Sequence, residues 1–208
     1  MARALARRVD YADLYFEYEV SEGLSLEEGM VKTASRDITQ GVGVRALAGD
    51  RTGYAYANDI SMPQIEIAAQ TARSIAADSA GGTNVPAQQV GSPSRDLYPV
   101  EHSVLDAPLP ARVDLLQRID AFARAYDPRI NHVMAGISCE SKVVLVVTSD
   151  GTIVGDVRPL ARLNVTCIAQ EGDNRQVGSF GGGGRIGFDF FFDQNRWQHF
   201  AREAARRA

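Results

Sequence analysis

Ala12-Asp13-Leu14-Tyr15-Phe16-Glu17-Tyr18-Glu19-Val20 decides how the rest of the chain is read. Leu14, Phe16, Tyr18 and Val20 fall on one side, and Asp13, Tyr15, Glu17 and Glu19 on the other. A period of two is that of an extended chain, whose successive side chains point to opposite faces. The stretch therefore predicts a strand with one buried face.

Working outward, Ser21-Glu22-Gly23 reads as a break, after which Leu24 and Leu26 resume the alternation. Glu28-Gly29 reads as a turn. A second strand is expected over residues 38–47, with Val42, Val44 and Ala46 on one face. Gly49-Asp50 supplies a positive-φ hairpin turn into residues 54–57. Ser61 then offers a helix N-cap, and Gln64 completes a capping box. Ile65, Ala68, Ala69, Ala72, Ile75 and Ala76 form the apolar stripe of that helix, which fades near Asp78.

Residues 79–110 are rich in Gly, Pro, Ser and Gln, the composition of a linker or long loop. A second helix is expected over residues 111–126, with Leu115, Ile119, Phe122 and Tyr126 on one face and Pro128 ending it. Val133, Ala135, Ile137 and Cys139 alternate as a strand. Residues 143–147 are continuously apolar, which predicts burial on both faces. Asp150-Gly151 turns the chain into residues 152–157. Leu163, Val165, Cys167 and Ala169 alternate again, and Gly172-Asp173-Asn174 turns into residues 175–180. A last helix begins near Asp193 and aligns Trp197, Phe200, Ala201, Ala204 and Ala208.

The expected class is α+β, with a mostly antiparallel sheet and packed helices. A meander followed by a helix occurs twice. Residues 1–78 hold the first unit, 79–110 the linker and 111–208 a helix, the second meander and the C-terminal helix. Together they make one domain. The second unit has a helix before its meander, and only residues 1–8 remain to supply the first with one. Ala4, Leu5 and Ala6 read as the tail of such a helix. The final stripe reaches Ala208 without a glycine cap. Both ends therefore read as cut from a longer chain, although helices also fray at natural termini.

The chain has 208 residues, 45% of them apolar and 23% charged, enough to bury a core without disulfides or a structural metal. Its net charge of −4, with scattered lysine and arginine, disfavours nucleic-acid binding through a basic surface. Cys139 and Cys167 sit in strand-like runs and read as small core residues. No stretch approaches the ~20 apolar residues of a membrane helix. Residues 1–10 lack the apolar core of a signal peptide, so the expected compartment is the cytoplasm.

Gly182-x-Gly184-x-x-Gly187 matches the dinucleotide fingerprint literally. That fingerprint works where a strand turns directly into a helix whose N–H groups meet a pyrophosphate. Here Phe188, Phe190, Phe191 and Phe192 follow instead. Two readings stay open for Gly181, Gly182, Gly183, Gly184 and Arg185: a flexible hinge, or a place where another backbone approaches closely. Gly41-x-Gly43-x-x-Ala46 is a second literal match, better explained by packing inside a strand. A hydrolytic metal needs several converging nitrogen or carboxylate ligands. His102, His132 and His199 are far apart in sequence, and none is followed by glutamate. Neither cysteine has a base that the sequence can reveal. Glu27-Glu28 reads as a solvated turn.

Several segments, taken in order, resemble one family. They are Ala12-Asp13-Leu14-Tyr15-Phe16-Glu17, Leu26-Glu27-Glu28-Gly29, Gln40-Gly41-Val42-Gly43-Val44-Arg45-Ala46 and Thr52-Gly53-Tyr54-Ala55-Tyr56-Ala57. Downstream come Thr148-Ser149-Asp150-Gly151-Thr152, Asp156-Val157-Arg158-Pro159-Leu160-Ala161-Arg162-Leu163 and Ser179-Phe180-Gly181-Gly182-Gly183-Gly184-Arg185-Ile186-Gly187. This ordered set is similar to the amino-terminal half of the TldD/PmbA family, on its TldD side. Members carry the name modulators of DNA gyrase, which refers to toxin and microcin action at gyrase and not to DNA binding. The resemblance implies a cytoplasmic zinc metalloprotease that acts on unstructured peptides with a TldE/PmbA-like subunit. The family's histidine–glutamate metal motif belongs to its carboxy-terminal half and occurs nowhere in this sequence. No catalytic or metal residue is carried over, and zinc is expected only in a full-length parent. The implied role is a scaffold and wall of a peptide chamber, with Gly181, Gly182, Gly183, Gly184 and Arg185 as peptide or subunit contacts through a strand edge. A possible homodimer follows if apolar surface is left uncovered. The alternative is a free-standing interaction or inhibitory protein that binds a TldE-like partner.

Overall fold

The computed structural model describes residues 4, 9–77, 99–100 and 102–208. The expected helix tail in residues 1–8 lies outside the described residues except for Ala4, as does the expected linker over residues 79–98 and 101. Six strands and three α-helices are described. They are β1 (Tyr11–Glu27), β2 (Met30–Ala48), β3 (Arg51–Ala57), α1 (Met62–Ala77), α2 (Leu109–Arg124), β4 (Ile130–Thr148), β5 (Ile153–Glu171), β6 (Asn174–Gly184) and α3 (Arg196–Arg207). One antiparallel sheet has the order β3-β2-β1-β4-β5-β6. The class is α+β, and each meander is followed by a helix, as the sequence predicts.

The four predicted turns are present because each needs a left-handed residue. Gly29, Gly49, Gly151 and Gly172 have φ of 72°, 61°, 92° and 61°. The strands are longer than expected. β1 runs through Ser21-Glu22-Gly23 without a break. Glu22 keeps the phase of Val20, Leu24 and Leu26, so it faces inward, where arginines neutralise it. β2 begins at Met30, yet residues 30–40 are exposed throughout. A strand open on both faces carries no hydrophobic period to read. Residues 143–147 are not buried on both faces: Val144 is buried, whereas Val143 and Leu145 are exposed.

The chain divides into two compact units. Unit 1 comprises Met1–Glu19, Ile38–Leu97 and Lys142–Val157. Its core gathers Ala4, Ala12, Leu14, Val42, Val44 and Ala46 with Ala68, Ala69, Ala72 and Ala76 of α1. α1 packs on β3. Gly53 of β3 makes this close: a methyl group there would overlap the Ala72 carbonyl oxygen and lie 2.7 Å from the Ala76 nitrogen. Because the contact is made through alanines, the buried stripe is narrower than predicted and Ile75 is exposed. The Ser61 carbonyl accepts the Ile65 amide, while its hydroxyl donates to Asp59 at 2.8 Å.

Unit 2 comprises Val20–Asp37, Tyr98–Ser141 and Arg158–Ala208. Its core is built from Leu24, Leu26, Leu115, Leu116, Ile119, Val133, Leu163, Val165 and Phe191, with Phe200 and Ala204 of α3. Each fully buried Leu, Ile or Phe contributes about 1.5–3 kcal/mol through removal from water. α2 starts two residues before the predicted point and ends at Arg124, leaving Tyr126 exposed. α3 packs on β6. Here Gly178 repeats the role of Gly53, since a methyl group would overlap the Ala204 carbonyl oxygen. The third strand of each meander thus uses a glycine to admit the alanine face of the helix that follows. A capping box absent from the sequence expectations closes the 3-10 turn Val104–Asp106, using Ser103 and Asp106.

Candidate functional site

The glycine run lies at the end of β6, paired with β5: Gly181 with Asn164, Gly182 with Leu163, Gly183 with Arg162 and Gly184 with Ala161. It is a paired strand, not a hinge and not the entrance to a helix. Substituent space explains most of it. A methyl group at Gly181 or Gly183 would overlap the carbonyl oxygens of Leu163 or Ala161, and one at Gly182 would lie 2.7 Å from the Phe200 ring. The backbone that approaches is therefore that of the neighbouring strand. At Gly184 the nearest atom to an added methyl is in Ile186, at 3.9 Å, so this position is open. Arg185 follows directly after the strand.

Gly183 and Gly184 border an open groove of about 570 Å³ within unit 2. Ser21, Glu22, Ser138, Glu140 and Arg162 also line it. Its polar feature is a carboxylate between two guanidinium groups. Glu22 accepts from Arg112 at 2.5 Å and from Arg36 at 2.8 Å. Arg112 is only 7% exposed, and its Nε finds no partner among the described residues. A buried guanidinium needs such a counter-charge, because an unpaired buried ion is costly. Sequence reading missed this pair, whose members lie 90 residues apart. One signal was available: Arg112 is in helical phase with Leu115, Leu116 and Ile119, on the stripe that becomes buried.

Neither cysteine thiol is activated. Burial pushes the Cys139 thiol above its ordinary range, and the opposing pull of Arg112 is smaller. Burial likewise holds Cys167 up, at about 11. A reactive cysteine needs the reverse shift. Both cysteines are buried and free, in strands as predicted.

The histidines do not converge. His132 places Nε2 2.8 Å from Glu27 and Nδ1 3.3 Å from Glu28, so the two carboxylates at the β1–β2 turn bracket its ring. The pair read as a solvated turn thus also holds a histidine of β4. His199 packs its ring edge-on against Phe180. Among the described residues, no group of three or more His, Cys, Asp or Glu could hold a metal ion. The donors among the described residues therefore do not fit a catalytic zinc. Among the same residues, no helix is long and apolar enough to cross a membrane. Gly41 and Gly43 lie within β2, where a methyl on Gly43 would lie 2.5 Å from the Tyr54 hydroxyl. Packing against β3 accounts for that second glycine motif.

Comparison with known proteins gives a consistent result. Residues 12–76 match the family profile described as PmbA/TldA metallopeptidase domain 1, and residues 102–208 match the PmbA/TldA metallopeptidase central domain. The chain is 37% identical to a metalloprotease TldD homolog of Haemophilus influenzae, over 97% of this chain and 43% of that one. It is 32% identical to a TldD homolog of Buchnera aphidicola, over 95% of this chain and 42% of the relative. The chain thus spans less than half the length of these relatives. Among solved structures, a candidate modulator of a DNA gyrase from Thermotoga maritima superposes with a TM-score of 0.77 at 16% identity, covering 95% of this chain and 44% of the other. TldE from Thermococcus kodakarensis gives 0.65 at 17% identity, covering 95% and 43%. At these identities the solved structures speak for the fold.

Proposed function

The chain belongs to the PmbA/TldD metallopeptidase family, and from that premise we propose that it is the non-catalytic amino-terminal scaffold of a TldD-like zinc metalloprotease. In this reading it forms a wall of the chamber in which unstructured peptides are processed or degraded, together with a TldE/PmbA-like subunit. The carrying observation is the pair of matched segments, domain 1 and central domain, on a chain that spans 43% of a TldD homolog. The catalytic zinc belongs to the portion of the parent that this chain does not cover.

Within the scaffold, Gly181, Gly182, Gly183, Gly184 and Arg185 form the peptide or subunit contact. β6 is the last strand in the sheet order, and Gly184 leaves its backbone open beside the groove. An extended peptide can add to such an edge through main-chain hydrogen bonds.

Two measurements test the reading. Purified chain should retain no zinc and cut no unstructured peptide, yet bind a TldE-like subunit. Stoichiometric zinc with chelator-sensitive cleavage would overturn it. Titration with an unstructured peptide in the presence of that subunit should shift the amide resonances of residues 181–185. Unchanged resonances there would remove the glycine run from the contact.

A further inference from the structure

The family profiles divide the chain at one place, into residues 12–76 and 102–208. The folded units do not follow that division. Unit 1 takes Lys142–Val157 from the second segment, and unit 2 takes Val20–Asp37 from the first. Those stretches are the tips of the β4–β5 and β1–β2 hairpins. We propose that neither matched segment is an autonomous domain: each is completed by a hairpin tip that the other contributes, and the partner each tip recognises is the other segment of this chain.

The first tip supplies unit 2 with things that its own segment lacks. Leu24 and Leu26 enter the core beside Leu115, Leu116 and Ile119. Glu22 is the carboxylate that pairs with buried Arg112. Glu27 and Glu28 bracket His132, and the Glu28 amide donates to the Val133 carbonyl at 3.3 Å. Residues 102–208 alone would hold a buried guanidinium without its counter-ion and a core with one side open.

The second tip does the same for unit 1. The Ser149 amide donates to the Ala12 carbonyl at 2.8 Å, and the Ala12 amide donates to the Ser149 hydroxyl oxygen at 3.1 Å. Lys142 reaches Glu19 at 2.9 Å and Glu17 at 3.6 Å. Val147 packs against the alanine-rich core. Among the described residues that core has few large side chains of its own, and a segment of this length is marginal on such a core.

The decisive experiment cuts the intact chain. A protease recognition sequence inserted between Gly82 and Thr83 allows cleavage after folding. The expected result is that the two pieces stay together at a 1:1 ratio in size-exclusion chromatography, with the far-ultraviolet circular dichroism of the uncut chain. After separation in urea, neither piece alone should regain a cooperative unfolding transition, and mixing should restore it. A piece that refolds alone with a cooperative transition overturns the proposal. Hydrogen exchange on the uncut Leu26→Ala variant gives a second reading. Amides of α2, in the other segment, should exchange faster by roughly thirtyfold or more. Unchanged α2 rates also overturn the proposal.

Discussion

Substituting Gly53 by alanine adds one methyl group, and the structure says where it must go. The new carbon would overlap the Ala72 carbonyl oxygen, and would lie 2.7 Å from the Ala76 nitrogen and 2.9 Å from the Ala72 carbonyl carbon. All three atoms are helix backbone, so no side chain can rotate away. To reach ordinary van der Waals distances α1 must withdraw by roughly 1.5 Å, a gap that forfeits about half or more of each contact it opens. The contacts opened are those of Ala68, Ala69, Ala72 and Ala76, the buried residues of α1. Overpacking of this kind costs about 1–3 kcal/mol, and the alanine face adds to it, so Gly53→Ala should lose about 2–4 kcal/mol. Gly43→Ala in the same unit is the control. Its methyl meets only the flexible end of Tyr54, which is 57% exposed and can swing out, so the loss should stay below about 1 kcal/mol. Gly184→Ala meets nothing closer than 3.9 Å and should be neutral or gain a few tenths of a kcal/mol from a less flexible unfolded chain. Urea unfolding of the three variants gives the ranking directly. If Gly53→Ala unfolds within about 0.5 kcal/mol of Gly184→Ala, the glycine is not what admits the helix, and the reasoning fails.

Three further outcomes follow from the same packing. Glu22→Gln should destabilise the chain by about 3 kcal/mol, because Arg112 stays buried and charged without its partner. The double replacement Glu22→Leu with Arg112→Leu should lie within about 1 kcal/mol of the parent in urea unfolding, and a double variant as weak as the single one would contradict the argument. Native Cys167 should resist iodoacetamide at pH 8, since its thiol titrates near 11 rather than 9.0. The folded state then holds the proton more tightly, so this group's stabilisation is complete below pH 9.0 and is lost as pH rises through about 11. Rapid alkylation without unfolding would refute the assignment. Asp127 accepts from the side chain and backbone of Arg129, which lowers its carboxyl to about 2 from 3.8. Its contribution is present above pH 3.8 and is lost as pH falls through about 2. An NMR titration of its side-chain carbon with a midpoint near 4 would show that the pairing is absent in solution.

What could be read from the sequence follows a physical rule. A feature is legible when one residue or one period determines it. Gly29, Gly49, Gly151 and Gly172 marked their turns because a left-handed φ nearly requires glycine, and Leu24, Leu26 and residues 133–139 marked their strands because one face is buried. Residues 30–37 were invisible as a strand because neither face is buried, so nothing in the sequence alternates to record the extended backbone. Glu22 reads as part of a break, since a lone acid gives no hint of an arginine 90 residues away.

The candidate site stands between these cases. That the glycine run admits a close neighbour was one of two open readings; it holds for Gly181, Gly182 and Gly183, not Gly184, and it was legible because only glycine leaves room where a side chain would sit. That the neighbour is β5, with the Phe200 ring against Gly182, is set by strand pairing and by the placement of α3, which no local pattern encodes. The same step explains α1. Alanine and isoleucine both count as apolar in a helical stripe, so the sequence put Ile75 inside. Gly53, on a different element, admits the helix backbone at Ala72 and Ala76, and the alanine face is the one that turns inward. The packing distance, and with it the exact face, is a property of the strand–helix pair and not of either sequence alone.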